Sequence, residues 1–249
     1  MVTSEEFQKG VLPDARVGIG RGSDTGNVER SVASFDNENI MIYDDPKTLA
    51  EDLVSGKLDA AVRGDMSSSV LLPYIKDVLG LRNLERVVLM EPIGGKLFLL
   101  SPVGIDEGWT VQQRFVLAVH SVELAKKVGL GTRIAVMSGG RCEDYGRCKA
   151  VNNSIDDALT LVGMLKEKGY DAYHSQILIE KAVKEADIVI APEGISGNLL
   201  FRSMHLVGNA KALGAPVVNS DLIFIDTSRA KTDYRDSIIL ALRLTKVKK

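Results

Sequence analysis

Glycine, serine, threonine and arginine recur in the turns that follow five hydrophobic runs of this 249-residue chain. The turns are RGSDTGN (21–27), RGDMSSS (63–69), SGGR (138–141), PEGISGN (192–198) and TSRAKTD (227–233). Backbone N–H groups at helix N-termini, hydroxyl groups and the planar guanidinium all bind phosphate or carboxylate groups. Because ligands of open α/β sheets bind beyond the carboxyl ends of strands, these turns predict an anion-binding site.

Three of the turns also have an ordinary structural explanation. Gly18 and Gly20 begin a G-x-G pattern, but Ser23 stands where a dinucleotide fingerprint needs its third glycine. Arg63 could form an ion pair, and one serine of the RGDMSSS turn could cap a helix. The PEGISGN turn fits either a helix start or a cradle for an anion.

The cysteines and histidines match no metal or redox motif. Cys142 and Cys148 are five residues apart, a spacing that favours a structural role, although their basic neighbours leave a reactive pair open. His120, His174 and His205 are scattered, and we interpret them as packing or surface residues. No metal site is expected.

The elements that would carry these turns alternate between strands and helices, which indicates a mostly parallel sheet. The run ERVVLMEPIGGKLFLLSPVG interrupts this alternation and predicts an antiparallel hairpin that turns at Gly94-Gly95. The predicted class is α/β, with one lobe from residues 1–84 plus 219–249 and another from 85–218. Helix starts are expected at Ser154 and near Gly197-Asn198, and a strand is expected over APVVNS (215–220).

Composition excludes some functions. The net charge of −2 does not favour nucleic-acid binding. No apolar run approaches the ~20 residues of a membrane span, and the first residues do not resemble a secretory leader. A cytoplasmic protein without membrane contact is expected.

Several segments resemble the phosphate acetyl/butyryltransferase superfamily. They are, in chain order, LDAAVRGDMSSS, VELAKKVGLGTRIAVMS, ADIVIAPEGISGNLLFRSM, GAPVV and DTSRAKTDYRDSIILALRL. The resemblance implies the two-lobed phosphotransacetylase-like fold shared with isocitrate and isopropylmalate dehydrogenases. It also implies a ligand cleft between the lobes and a homodimer.

The resemblance further implies roles for individual residues. Those expected to act in catalysis are Ser228, Arg229, Asp233 and Asp236. Those expected to bind the ligand are Arg63, Gly64, Ser67, Ser68, Ser69, Gly197, Asn198 and Arg202. In this superfamily an acyl group moves between phosphate and coenzyme A, which implies a small anionic substrate and coenzyme A as a cofactor.

Three departures from the superfamily pattern indicate altered chemistry. Arg202 replaces a lysine, Arg235 stands where an aspartate is usual, and Ser101 replaces an aspartate after the hairpin. The short chain and its loops most resemble a methanogen family named as a methyltransferase subunit. We therefore expect a phosphotransacylase-like transferase with altered chemistry. The alternatives are a methyltransferase subunit or accessory protein of methanogen metabolism with a methyltransferase partner, and a non-catalytic anion-binding protein.

Overall fold

The structure is a computed structural model that describes residues 2–22 and 26–245. Its strands are β1 (Val17–Gly20), β2 (Ile40–Tyr43), β3 (Ala60–Val62), β4 (Val88–Glu91), β5 (Phe98–Ser101), β6 (Ile134–Met137), β7 (Ala172–Gln176), β8 (Ile188–Ile190), β9 (Lys211–Pro216) and β10 (Ile223–Asp226). Its helices are α1 (Ser4–Gln8), α2 (Asn27–Ala33), α3 (Pro46–Val54), α4 (Ser68–Val78), α5 (Val111–Lys127), α6 (Lys149–Glu167), α7 (Ile179–Glu185), α8 (Gly194–Arg202) and α9 (Arg235–Thr245). The predicted turn residues Ser23, Asp24 and Thr25 lie outside the described ranges.

The chain divides into two compact units. Unit 1 contains Met1–Phe7 and Glu85–Ala212, and unit 2 contains Gln8–Leu84 and Leu213–Lys249. This division differs from the predicted boundaries in two places. The first seven residues group with the central segment, and the return to the other unit falls after Ala212 rather than after residue 218.

In unit 2 the strands lie in the order β2-β1-β3-β10-β9. β1 pairs in parallel with β2 and β3, and β10 pairs in parallel with β3, with Ile223 opposite Ala60. β9, which starts in unit 1 and ends in unit 2, pairs antiparallel with β10. The carboxyl ends of β1, β2, β3 and β10 therefore meet at one edge of the sheet.

The core of unit 2 accounts for its hydrophobic strands. β1 and β3 are buried at every position, as expected for parallel strands covered on both faces. Leu49 and Leu53 of α3 and Leu71 and Ile75 of α4 are buried in the same cluster as Phe224 of β10. Burial of each such side chain stabilises the fold by about 1.5–3 kcal/mol.

In unit 1 the strands lie in the order β4-β5-β8-β6-β7. β4 and β5 form the predicted antiparallel hairpin, with Leu89 opposite Leu99. β5, β8, β6 and β7 pair in parallel. The predicted α/β class, mostly parallel with an antiparallel hairpin, is thus confirmed, and the more detailed likeness to the dehydrogenases stays a prediction.

Side chains and prolines set several helix starts. Pro46 occupies the first turn of α3, and the Asp45 side chain accepts the Thr48 N–H at 2.8 Å. Thr110 and Gln113 form a reciprocal capping box at the start of α5. No described helix has the length and apolar character that a membrane span requires.

Three predicted elements begin at other positions than expected, and one strand was not predicted. α6 starts at Lys149, so Ser154 lies inside the helix and its hydroxyl accepts the Gly139 N–H. α8 starts at Gly194, so Gly197 and Asn198 are also inside a helix. β9 starts at Lys211 rather than at residue 215. β7 was not predicted, and it places His174 on a strand.

Candidate functional site

A pocket of about 630 Å³ lies at the carboxyl edge of the parallel strands of unit 2. We call it the strand-end pocket, and its lining residues are Arg21, Gly22, Asn27, Asp44, Pro46, Asp65, Met66, Ser67, Val70 and Arg229. They follow β1, β2, β3 and β10 or belong to α2, α3 and α4. The pocket therefore occupies the position that open α/β sheets use for ligands.

Glycines hold the turns after β1 and β3 close together beside this pocket. Gly64 has φ +61°, and a Cβ there would lie 1.9 Å from the Gly20 carbonyl oxygen. A Cβ on Gly22 would lie 2.6 Å from the Asp65 carbonyl oxygen. A Cβ on Gly20 would likewise lie 2.6 Å from the Arg63 carbonyl oxygen. The second glycine of the G-x-G pattern therefore has a structural role in this close backbone approach.

Arg21 is neutralised by two carboxylates. Its guanidinium donates to both oxygens of Asp44, at 2.6 and 2.7 Å, and to Glu29 at 2.7 Å. Hydrogen bonds from Arg21 lower the pKa values of Asp44 and Glu29, and the same bonds raise the pKa of Arg21. Arg21 therefore shapes the pocket wall without leaving an unbalanced positive charge for a ligand.

Arg229 is the second arginine of the strand-end pocket. It is exposed, and no residue in the described part of the chain makes an ion pair or hydrogen bond with its guanidinium. Its neighbour Ser228 accepts the Ala230 N–H at 3.2 Å and so forms a local turn. The predicted Ser228-Arg229 pair thus places its arginine, and not its hydroxyl, in the pocket lining.

The N-terminus of α4 faces the same pocket through Ser67 and Val70. Ser67 is the N-cap residue, but its side chain makes no capping hydrogen bond and instead lies 2.8 Å from the Ser69 hydroxyl. The first N–H groups of a helix have no partner within the helix. In this 11-residue helix no side chain caps the first N–H groups. These N–H groups and the hydroxyls of Ser67 and Ser69 lie at the same end of the helix.

Asp65 supplies an acceptor to the pocket. Its Oδ1 accepts the Gly22 N–H at 2.5 Å, whereas its buried Oδ2 has no hydrogen-bond partner among the described residues. An unpaired buried carboxylate oxygen is costly. A ligand that donates a hydrogen bond at this position would remove that cost.

Arg63 lies beside the pocket but is not part of its lining. It is 5% exposed, and its Nε donates to Asp226 at 2.5 Å while another N–H donates to the Met66 carbonyl at 2.7 Å. Thr227 extends this connection, because its hydroxyl donates to the Gly64 carbonyl at 2.7 Å. Arg63 thus joins the turn after β3 to the end of β10.

Asp233 and Asp236 make structural hydrogen bonds at the start of α9. Asp233 accepts the Arg235 N–H at 2.8 Å at the start of the helix. Asp236 accepts from the Gln8 side chain at 2.9 Å. Neither residue is among those that line the strand-end pocket.

The remaining predicted residues lie in unit 1. Asn198 donates to the Val103 carbonyl at 2.8 Å, and a Cβ on Gly197 would lie 1.8 Å from the Pro102 carbonyl oxygen. These contacts hold α8 against the turn after β5. Arg202 is exposed near the end of α8.

The N-terminus of α8 is occupied by a carboxylate of the chain itself. Glu193 accepts the N–H groups of Ile195 at 2.6 Å and Ser196 at 3.0 Å, and it also accepts from the Ser196 hydroxyl. The PEGISGN turn therefore forms a capped helix start. Its interpretation as a loop and helix cap fits these contacts, and the cradle position is filled by Glu193.

Asp65, Asp44 and Asn27 were not among the predicted site residues, although they line the pocket. Asn27 and Asp65 belong to the RGSDTGN and RGDMSSS turns, whereas Asp44 follows a strand for which no ligand-binding turn was predicted. Asp44 directly follows β2 and Asp65 follows β3 after two residues, and these positions were the signal that the sequence offered. Within the described residues, no group of three or more His, Cys, Asp or Glu side chains could hold a metal ion.

Two curated relatives have closely similar sequences. A protein of Methanosarcina barkeri named "Putative methyltransferase mtx subunit X" is 39% identical over 84% of this chain and 78% of its own length. The protein of the same name from Methanosarcina mazei is 39% identical over 85% of this chain and 76% of its own length. No protein-family model matches the chain.

Two solved structures share the fold. The branched-chain phosphotransacylase of Enterococcus faecalis aligns with a TM-score of 0.69 and 17% identity, covering 92% of this chain and 99% of its own. The phosphotransacetylase of Streptococcus pyogenes aligns with a TM-score of 0.68 and 16% identity, covering 97% and 98%. The predicted resemblance to this superfamily is thereby confirmed at the level of the fold.

Proposed function

The chain belongs to the mtx subunit X family, and from that membership we propose a transferase-like protein that binds a small phosphorylated or carboxylated ligand in the strand-end pocket. The observation that carries the proposal is the arginine at position 229. It lines the pocket with no partner in the described part of the chain. A planar guanidinium in that setting suits a phosphate or carboxylate group.

The start of α4 supports the same ligand. Ser67 and the uncapped first turn offer hydroxyl and backbone N–H donors on the pocket wall. The positive end of the helix dipole adds to their attraction for an anion. In unit 1 the corresponding donors of α8 already bind Glu193, so the strand-end pocket is the better candidate for an external anion.

Asp65 narrows the class of ligand. Its unpartnered Oδ2 would accept a hydrogen bond from a hydroxyl or ammonium group of a ligand held by Arg229 and α4. We therefore expect the ligand to carry both an anionic group and a hydrogen-bond donor. A sulfate ion, which carries no proton at neutral pH, would satisfy only the first requirement.

Binding of inorganic phosphate, measured by titration calorimetry, tests the proposal. Arg229→Ala should weaken binding by about 10- to 150-fold, because one charge-assisted hydrogen bond contributes about 1.5–3 kcal/mol. Its melting temperature should stay near that of the parent, since the exposed side chain makes no ion pair in the described ranges. Arg229→Lys should retain part of the affinity.

Arg82→Ala is the matched control. Arg82 is an exposed arginine of the same unit that does not line the pocket, so this change should leave phosphate binding unaltered. Equal affinities for the parent and Arg229→Ala would refute the proposal. An equal loss in both arginine variants would reduce it to a general effect of net charge.

The phosphotransacylase form of the proposal has a separate test. Purified protein mixed with acetyl- or butyryl-phosphate and coenzyme A should produce a thioester if this chemistry is retained. Absence of the thioester, with phosphate binding intact, would leave a non-catalytic anion-binding protein. That outcome would also fit the departures at Arg202, Arg235 and Ser101.

A role as a methyltransferase subunit or accessory protein is the second candidate, and the names of the relatives favour it. It requires a partner protein that catalyses the methyl transfer or accepts the methyl group. Methyl transfer that depends on adding this chain to a purified partner would support it. The homodimer, the cytoplasmic location and a role for coenzyme A stay predictions.

A further inference from the structure

Ser138, Cys142, His174 and Gln176 lie together at the carboxyl edge of the unit 1 sheet. β6 and β7 are parallel neighbours, with Val136 opposite His174. Ser138 follows β6 directly, and the turn that contains Cys142 comes after it. We call these residues the thiol cluster.

Hydrogen bonds determine which nitrogen of His174 carries the proton. The Ser138 hydroxyl donates to the Gly140 carbonyl at 2.8 Å, so its single proton is already used. Its oxygen also lies 2.8 Å from His174 Nε2, and that nitrogen must therefore be the donor. Burial lowers the pKa of His174, which favours a neutral ring with an unprotonated Nδ1.

The unprotonated nitrogen faces the thiol. His174 Nδ1 lies 3.9 Å from Cys142 Sγ, a separation suited to a weak S–H···N hydrogen bond. Cys142 is exposed, so its sulfur is open to a reagent on the other side. A thiol that faces an oriented imidazole is the usual arrangement of an activated cysteine.

Gln176 positions the thiol. It has φ +59°, a left-handed conformation that is uncommon for a residue other than glycine, and the register of β6 and β7 shifts beside it. Its side-chain oxygen accepts the Cys142 N–H at 3.2 Å, and its carbonyl accepts the Ser138 N–H at 3.0 Å. One residue thus connects both ends of the turn.

We propose that Cys142 is a nucleophilic thiol for compounds with an electrophilic carbon and a leaving group, with His174 as its base. The sulfur forms a bond to that carbon, and the bond to the leaving group breaks and takes its electron pair. The thiol proton moves to His174 Nδ1, and Ser138 positions the ring. The inference is independent of the strand-end pocket, which lies in the other unit.

Cys148 provides an internal control. It is also exposed, and within the described ranges no imidazole contacts it. The reduced, full-length protein is treated briefly with iodoacetamide, which transfers its carbon to sulfur and releases iodide. Cleavage after Tyr145 places the two thiols on separate peptides, so mass spectrometry gives each rate.

Cys142 should react at least about tenfold faster than Cys148, since a positioned base accelerates such steps. His174→Gln should lower the Cys142 rate to about that of Cys148 and leave Cys148 unchanged. Ser138→Ala should lower the Cys142 rate in part, and Ser138→Thr, which keeps the hydroxyl, should restore it. His120→Gln is the control for histidine loss, because His120 pairs with Glu85 and lies outside the cluster.

Equal rates at the two cysteines of the parent protein would overturn the proposal, and this comparison needs no variant. An unchanged Cys142 rate in folded His174→Gln would also overturn it. Phosphate binding in the same samples reports on the strand-end pocket. A failure there would leave the ratio of thiol rates as it is, so the two proposals fail separately.

Discussion

Arg63 and Arg229, which the superfamily resemblance places at one ligand site, have different surroundings. Arg63 is buried against Asp226, whereas Arg229 lines the strand-end pocket without an ion pair in the described ranges. The partner of Arg63 is 163 residues away along the chain. Such a pairing depends on how β10 joins the sheet, and no local pattern around Arg63 reveals it.

Gly64 also has a structural reason that was not visible in the sequence. Its positive φ and its contact with the Gly20 carbonyl predict that Gly64→Ala destabilises the protein by more than about 3 kcal/mol. Gly56→Ala is the matched variant, because Gly56 has φ +75° but nothing within 4 Å of an added Cβ. It should cost only about 1 kcal/mol.

Urea denaturation of the two glycine variants separates the cost of the clash from the cost of the dihedral angle. Similar losses in both would contradict the close approach of the turns after β1 and β3. Phosphate titration of the same two variants tests the ligand role predicted for Gly64. A ligand-binding glycine without a backbone constraint would change phosphate affinity more than stability.

Among the helices, α4 and α8 begin in opposite ways. The first turn of α4 has no side-chain cap, and that of α8 is bound by Glu193. Both turns contain serine and glycine nearby, so composition alone could not distinguish them. The difference arises from one carboxylate that stands directly before α8.

Glu193→Ala should therefore lower the free energy of unfolding by about 0.5–2 kcal/mol, the usual cost of losing an N-cap. Glu193→Gln retains one acceptor oxygen and should lose less. Thermal or urea unfolding would measure both. Parent-like stability of Glu193→Ala would mean that its hydrogen bonds to Ile195 and Ser196 contribute nothing.

The strands were predictable where they are buried. β1, β3, β6 and β8 are continuous hydrophobic runs, because each is covered on both faces. β7 stands at the end of the strand order in unit 1 and has the sequence AYHSQ, with partly exposed positions. Because its residues are largely polar, the sequence did not indicate a strand here. His174 could therefore not be placed beside Ser138 and Cys142 from the sequence.

At the scale of the molecule, one buried amine gives stability a dependence on pH. Lys231 is partly exposed as a residue, but its ammonium group is enclosed and donates to the Ser237 hydroxyl at 3.0 Å. Burial lowers its pKa from 10.5 to about 8, while Asp236 and Asp233 act in the opposite direction. The folded state therefore releases this proton earlier than the unfolded state.

Between about pH 8 and 10.5 the unfolded chain binds more protons at this site, so the contribution of Lys231 to the free energy of unfolding rises with pH. Lys231→Gln should lack that rise. The measurement is the difference between parent and variant in urea unfolding from pH 7 to 10.5, which cancels the other titrating groups. A difference that is flat or falls with pH would contradict the lowered pKa.

Each unit consists of two separate segments of the chain. The hairpin marks the passage near residue 85, because the alternation of strands and helices changes there. The passage of the chain from unit 1 back to unit 2 after Ala212 is not accompanied by a comparable change in the sequence pattern. β9 continues across it, and its sequence KALGAP is interrupted by Gly214 and Pro216.

This arrangement sets an order of events during translation. β3 emerges from the ribosome long before β10, the strand that completes its hydrogen bonds, and the whole of Glu85–Ala212 is synthesised between them. The middle of the protein can therefore finish folding before its beginning does. Until β10 arrives, the nascent chain carries an open strand edge, the kind of surface on which chains aggregate and chaperones act.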